Sequence, residues 1–594
     1  MAEELSTAGA RSALDHAAAQ GLGTACHDIT GRTLAMLGAG SPATPSFQAA
    51  CDVPRAGVLA AIPALLANGL FAHVEEHFEA PRGYYPLTQL FLMLAFMILS
   101  RIKSVEQLRY QPCGEWGRLL GLDRIPEVRT LREKIDGLAM SQNVSAWSQA
   151  MGQYWMDLDP TLAGLLYVDG HVRAYHGEQT CLPERFSSRD RLCVRSLMDY
   201  WVNDRDGHPF FVVTALGTEG MIHHLRTQIV PRLIKEVPAQ PSEEQLQADR
   251  SLHRFVIVFD REGWSPEFFA LLWLEHRIAV LTYRKGRYEP WETDCFSSHP
   301  VELPHAQRVE MNLAEKSCAL LGGQVAAREI RRLSTDHSHQ TAIITTCQRE
   351  SSEALAGHMF ARWSQENFFR YASQELAIDR LGGYALTPPA PQTSVINPLW
   401  RVHRQKAQRL RAQRAALQAQ RGRLAMKESA DGAVAAFLLQ ISQIGEKLQA
   451  TELELKQENA CLRTLPRRVP IGSLPEAQRP QLIAPSRHQL LNTLKILAYR
   501  SETALVTLLR EKLSRSDDAR ALAKDLLCHQ ADLLPDPAQG ILLVRLHHFT
   551  NPQSSRAVGH LIDHLNKTAT QYPGTNLVLK YVLVSETIPS TLNA

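Results

Sequence analysis

Three carboxylates in this chain stand where phosphoryl-transfer chemistry needs them. Asp169 closes the apolar run Leu165-Leu166-Tyr167-Val168, and Asp260 closes Phe255-Val256-Ile257-Val258-Phe259. A short apolar run ending on an acid reads as a buried strand that carries its carboxylate to a sheet edge. Glu366 lies in Arg362-Trp363-Ser364-Gln365-Glu366-Asn367-Phe368-Phe369-Arg370. Arg362, Glu366 and Arg370 are spaced to share one face of a helix. Exchange of a phosphodiester needs an activated oxygen and charge relief on the leaving oxygen, and two divalent ions held by carboxylates supply both. The set fits two Mg²⁺ (or Mn²⁺) ions, with Asp169 bridging them and Asp260 and Glu366 each completing one site. Arg362 and Arg370 would hold the neighbouring phosphates. Taken singly, each acid is more often an ordinary strand-end or surface residue. The order, two strand aspartates and then a helical glutamate, singles out the set. Glu353 and Glu375 are rival third acids.

The elements that must position these acids follow from the pattern around them. The run 165–172 is a first strand. Segments 194–202 and 209–216 flank Asn203-Asp204-Arg205-Asp206-Gly207, whose Asp-Gly signals a hairpin. An amphipathic helix at about 219–235 leads to the strand 255–259. Ser265-Pro266-Glu267 opens a helix with serine as N-cap and proline at its first position, and 278–283 is a further strand. Three strands, helix, strand, helix, strand give an α/β fold with a mixed sheet flanked by helices. The stretch 286–350 has short alternating runs between polar loops and reads as a β-rich insertion. The helix 353–379 then returns to the core and carries Glu366. The core is therefore split into 160–285 and 351–380.

Residues 1–150 form a helical N-terminal region. Two short helices near 115–123 and 130–135, joined across Pro126, fit a helix-turn-helix, although an ordinary helical hairpin is the commoner origin of such a pair. Residues 380–427 hold no Asp or Glu, while Arg401, Arg404, Lys406, Arg409, Arg411, Arg414, Arg421, Arg423 and Lys427 crowd one helix. Leu410, Leu417 and Leu424 repeat at seven residues, as do Ile441, Leu448, Leu455 and Leu462. A coiled-coil hairpin at 397–465 satisfies both stripes. With no acid to neutralise it, its first helix is suited to phosphate-backbone contact, through Arg404, Arg409, Arg411 and Arg414. A C-terminal α+β domain occupies 485–594 and displays no chemistry of its own.

A chain of 594 residues exceeds a single core. A net charge of only +3 leaves room for basic patches within a balanced total. The ten cysteines include no C-x-x-C pair, which argues against a disulfide framework or a structural zinc site and fits a reducing compartment. No basic segment followed by an apolar one opens the chain, so no secretory signal is expected. The most apolar run, 90–99, is about half of what a membrane span requires. The expected location is cytoplasmic, at the nucleoid, with no membrane partner.

Tyr-Val-Asp-Gly-His at 167–171, Val-Phe-Asp-Arg-Glu-Gly-Trp at 258–264 and Arg-x-x-x-Glu at 362–366 resemble the catalytic motifs of DDE insertion-sequence transposases. The nearest group has a β-rich insertion before the final glutamate and a Y-R-E-K signature. The resemblance covers about 160–380 and implies an RNase H-like core: first aspartate on the central first strand, second after the fourth strand, glutamate on a late helix. Asp169, Asp260 and Glu366 match those positions. Ala279-Val280-Leu281-Thr282-Tyr283-Arg284-Lys285 is similar to the family's strand after the second aspartate, and 122–138 to the helical region before the core. The signature is partly kept. Met359 stands where its tyrosine is expected and Ser373 where its lysine is expected, which leaves Arg370 as the substitute phosphate contact.

The resemblance implies metal-dependent DNA transposition. Cleavage at the element's terminal inverted repeats frees a 3′-hydroxyl, which is then joined to target DNA. The implied partners are double-stranded DNA, both element ends and target, and a second copy of the chain, because paired ends call for at least a homodimer. Two rival functions stand beside it. One is a domesticated transposase that binds DNA without cutting. The other is a different RNase H-like nuclease, such as a junction resolvase, which would lack the insertion and the large terminal regions.

Overall fold

The computed structural model describes residues 28–584 apart from 141–142, 176–181, 183, 188–190, 216–218, 304–306, 361–362, 381, 383–385, 388–393, 426–433, 477–478, 480–481 and 516–517. Its centre is strand β1 (Leu165–Ala174). One edge of β1 pairs antiparallel with β2 (Leu192–Asn203), which pairs antiparallel with β3 (Pro209–Ala215). The other edge pairs parallel with β4 (Val256–Phe259), and β4 pairs parallel with β5 (Ala279–Tyr283). The order is β3-β2-β1-β4-β5. The first four residues of β1 and all of β4 are buried, as parallel strands covered by helices on both faces require. Alternate residues go to opposite faces. Leu166, Val168, Ile257, Phe259 and Val280 join one core, while Leu165, Tyr167, Val256, Val258 and Leu281 join another. In the β2–β3 turn the Asp204 carboxylate accepts from the Asp206 and His208 N–H groups at 3.0 and 2.8 Å, and Gly207 takes φ 87°, where other residues are strained.

Beyond β5 the sheet continues. β6 (Ser297–Leu303), β7 (Gln307–Leu320), β8 (Val325–Leu333) and β9 (Gln340–Thr345) extend it in the order β9-β8-β7-β6, with Thr345 of β9 opposite Leu281 of β5. The strand-rich stretch after 286 thus extends the core sheet, and β9 takes up the backbone groups that an open β5 edge would leave unpaired.

Helix α1 (Pro266–His276) begins at Ser265, whose hydroxyl accepts from the Phe268 N–H at 3.2 Å, with Pro266 in the first turn. The segment expected as one helix over 353–379 is helical on either side of residues 361–362, which lie outside the described residues. α2 (Ser352–Phe360) packs Leu355 and Met359 into the second core, and α3 (Trp363–Glu375) carries Glu366. α4 (Pro398–Ala425) and α5 (Val434–Thr464) form a helical hairpin. Its seam buries Ala407 and Leu410 against Leu455, with Ile444, Leu448, Thr451 and Glu458 continuing the alternating steps of four and three. A short antiparallel pair, Ser394–Ile396 with Arg468–Pro470, closes its base.

The long helix α6 (Pro485–Arg510) is buried along much of its length. It is pinned to the sheet by polar groups: Arg173 of β1 pairs with Asp199 of β2, and the Arg173 Nη1 lies 2.5 Å from His488 Nδ1 of α6. Burial drives the His488 imidazole well below its usual pKa, so it sits neutral beside the guanidinium. β10 (Ala531–Asp536), β11 (Ile541–Leu546), helix α7 (Pro552–Lys567) and β12 (Val578–Leu583) complete the chain. The strand Ala50–Val53 pairs with β10, Ala50 opposite Leu533. The N-terminal and C-terminal regions therefore share one sheet. Among the described residues no helix is long and apolar enough to cross a membrane; the run at 90–99 belongs to the buried helix Leu87–Leu99.

Candidate active site

Val168 of β1 pairs with Phe259 of β4, and each is followed at once by its aspartate. Parallel register thus brings Asp169 and Asp260 to the same end of adjacent strands, both half-buried. The Gly170 N–H donates to Asp169 Oδ1 at 2.8 Å. A Cβ on Gly170 would stand 3.1 Å from Met198 Sδ and 3.2 Å from Tyr200 Cε1, so the Asp-Gly pair lets β2 lie close beside the acid. Asp260 caps the turn Arg261–Gly263 by accepting from the Glu262 N–H at 2.8 Å. Thr282 Oγ1 of β5 donates to the Asp260 carbonyl at 3.1 Å and fixes its backbone.

Glu366 lies on α3. Its side chain, and Arg362 altogether, fall outside the described residues. The next turn of α3 shows where the helix docks. Phe369 stacks on His171 with ring centroids 5.3 Å apart and planes 10° apart, and Phe368 meets Trp201 at 5.3 Å. Trp201 is the residue opposite Asp169 in the β1–β2 ladder. Phe368 and Phe369 thus seat this turn of α3 against β1 and β2. His171 serves here as a stacking platform. Arg370, one turn beyond Glu366, is exposed. The rival acids are engaged elsewhere. Glu375 lies 3.4 Å from Arg101 Nε and 3.0 Å from Lys524 Nζ, and Glu353 lies 2.7 Å from His299 Nδ1.

Three further groups, Glu262, Tyr200 and His224, cluster around the turn that Asp260 caps. Glu262 Oε1 accepts from the Tyr200 hydroxyl at 3.2 Å and from the Met221 N–H at 3.3 Å. Burial, and then the Glu262 charge, push the Tyr200 hydroxyl well above its usual pKa, so it stays a donor. His224 packs on the Tyr200 ring at 5.3 Å, and burial, then His223, lower it to about 4. Glu262 had a signal, since it stands two residues after Asp260 in the same motif. Tyr200 and His224 had none, because their proximity depends on the β2 pairing.

The basic hairpin is tied to this edge of the core. Arg468, at its base, pairs with Glu219, two residues before Met221. On α4, Arg404, Arg409 and Arg411 are exposed and Arg414 is half-buried. Arg404 lies 5.1 Å from the Trp400 ring and Arg411 donates to Asn459 Oδ1 at 3.0 Å. Among the described residues none of the four has a carboxylate partner; the one seam acid facing α4, Glu458, is taken by His403 and Lys406 at 2.7 and 2.8 Å. The insertion differs. There Arg284 and Arg331 pair with Glu329, and Arg328 pairs with Glu315. The helices Cys113–Leu119 and Val128–Met140, the helix-turn-helix candidate, also have their arginines neutralised: Arg118 by Glu115, Arg129 by Glu133, and Arg132 by Glu106.

A mixed α/β core with acids at one strand edge and a basic hairpin anchored beside it has the makeup of a DNA-processing protein. A family model described as "Transposase protein" matches residues 21–585, nearly the whole chain. The chain belongs to that transposase family, and membership implies DNA binding and points to DNA-cleaving activity. No curated protein matches it.

Proposed function

We propose that the chain is an insertion-sequence transposase of the DDE type, built on an RNase H-like core, with Asp169, Asp260 and Glu366 as its metal-binding acids. The observation that carries this reading is the β1–β4 register, which puts the two aspartates at the same end of adjacent parallel strands beneath α3. The strand order β3-β2-β1-β4-β5, with β2 alone antiparallel to both its neighbours, supports the RNase H-like assignment. The three acids are oxygen donors with no soft ligand among them, the donor set that suits Mg²⁺ or Mn²⁺. Two such ions, when bound, would supply charge relief at the attacking and leaving oxygens of the DNA strand.

The chain's own residues do the rest. Asp260 is held by its capping bond to the Glu262 N–H and by Thr282, so its carboxylate is set before DNA arrives. Arg370, exposed and one turn from Glu366, orients a phosphate beside the scissile bond, with Arg362 as its counterpart. Arg404, Arg409 and Arg411 follow the duplex backbone away from the site. The reaction cuts at the terminal repeats and joins the freed 3′-hydroxyl to target DNA, with two copies of the chain holding two ends. The test is incubation of the purified chain with labelled element-end DNA, plasmid target and Mg²⁺. A nicked 3′-hydroxyl product followed by a joined product is expected; binding with neither product would remove the proposal.

A further inference from the structure

A second cluster of ligating side chains lies at the opposite end of the sheet from the acids. His253 precedes β4 and Cys347 follows β9; Glu350 comes three residues later, ahead of α2. One ligand atom from each of His253, Cys347 and Glu350 lies within 4.8 Å of the others. β9 runs antiparallel to β5 and β4 runs parallel to it, so the end of β9 and the start of β4 meet. From His253 to Asp260 the chain is extended, which separates the two sites by roughly 20 Å.

Several features of this cluster point to an ion. His253 Nδ1 is buried without a hydrogen-bond partner in the described structure. Cys347 is fully buried at the same point. The loop that presents the ligands is braced by Arg328, whose Nη1 donates to the Cys347 and Glu350 carbonyls at 3.2 and 2.6 Å. His358 Nε2 of α2 stands 3.3 Å from Glu350 Oε2, and the His358 backbone is fixed by the Tyr167 hydroxyl of β1 at 2.8 Å from its carbonyl. A thiolate, an imidazole and a carboxylate converging on one point form a zinc-type donor set. A histidine against the carboxylate is the kind of outer partner that orients such a ligand.

We infer that His253, Cys347 and Glu350 bind one zinc ion, with His358 holding the Glu350 carboxylate in place. On binding, Cys347 gives up its thiol proton to solvent as the sulfur–zinc bond forms, and neither partner changes oxidation state. The ion would clamp the end of the extended sheet to the segment before β4. It would thereby fix the point from which α2 and α3 start. The isolated spacing of Cys347 in the sequence conceals this site, because two of its ligands are close in sequence and the third arrives through strand pairing.

The test uses the untagged full-length chain purified from zinc-supplemented cells and dialysed. Metal analysis should find about one zinc per chain in the wild type and in Asp260→Asn. It should find at least a tenfold loss in Cys347→Ser and His253→Gln. Cobalt(II) substituted for zinc should give a thiolate-to-metal charge-transfer band in the wild type and none in Cys347→Ser. His358→Gln should bind roughly 10–100-fold more weakly. If Cys347→Ser does not fold, Glu350→Gln keeps the thiol and must still lose at least tenfold in zinc affinity. A wild-type chain with less than about a tenth of an equivalent of zinc and no cobalt charge-transfer band would overturn the inference. Equal zinc in the wild type and in the folded ligand variants would also overturn it.

Discussion

Replacing Arg404, Arg409 and Arg411 of α4 by glutamine tests whether the acid-free helix carries DNA. Each is exposed and has no carboxylate partner among the described residues, so each is available to a phosphate. Each phosphate neutralised on duplex DNA contributes about 0.9 to the slope of log affinity against log salt. Removing all three guanidinium groups should flatten the slope by about 2.7 and weaken binding roughly 500-fold near 0.1 M salt. Arg414 is half-buried beside the hairpin seam, and adding Arg414→Gln should change the slope by less than about half a unit. Glutamine keeps helix propensity, and none of the three exposed arginines lies in the seam of Ala407, Leu410 and Leu455. The assay is fluorescence anisotropy on element-end and unrelated duplexes from 50 to 300 mM salt, on the order of the range where counterion release dominates. Both duplexes should lose affinity alike, because phosphate-backbone binding carries no sequence information. An unchanged slope would refute the reasoning and assign α4 to a protein partner.

Other outcomes follow from the site. Arg370→Ala should reduce single-turnover strand transfer more than it reduces end affinity, and Arg370→Lys should restore part of the loss, since lysine keeps the charge without the planar fork; equal losses in both assays would make Arg370 a DNA anchor only. Glu262→Gln should leave end binding within about twofold and slow cleavage several-fold by weakening the carboxylate's hold on the Tyr200 hydroxyl and the Met221 N–H beside Asp260; an unchanged cleavage rate would remove Glu262 from the site. The His224 imidazole falls from 6.5 to about 4 on folding. Its folded-state pKa is depressed, so its contribution is intact above about 6.5 and is lost as pH drops toward 4, because the unfolded chain then binds the proton more readily. His224→Gln should therefore reduce the acid-side fall in melting temperature, by an amount equivalent to about 2 kcal/mol after allowance for partial solvent access. A wild-type and a variant with parallel pH profiles would contradict that.

Local patterns carried much of the core. The runs before Asp169 and Asp260 are apolar on both faces, so their strands and the position of each acid were legible. Ser265 and Pro266 announced α1, and the Asp-Gly of 206–207 announced the β2–β3 turn. Long-range pairing was not legible. Strand Ala50–Val53 joins a partner more than four hundred residues away, and β10 is disguised by Asp532, Pro535 and Asp536, residues depleted in strands. The strand-rich stretch after 286 was visible, but its continuity with β5 depends on the Thr345–Leu281 register. The lack of any C-x-x-C pair argued against structural zinc, whereas the fold brings a histidine from before β4 to a cysteine after β9.

The most direct measurement is single-turnover cleavage of element-end DNA in Mg²⁺ by the wild-type chain and by Asp169→Asn, Asp260→Asn, Glu366→Gln and Glu375→Gln. Each substitution removes a carboxylate charge while keeping volume. Loss of the first three activities by a factor of about 10³ or more, with end binding retained, is expected if those acids hold the ions, and Glu375→Gln should still cut because its carboxylate serves Arg101 and Lys524. Near-normal cutting by Glu366→Gln together with loss in Glu375→Gln would contradict the assignment of the third acid, and normal cutting by either aspartate variant would contradict the site itself.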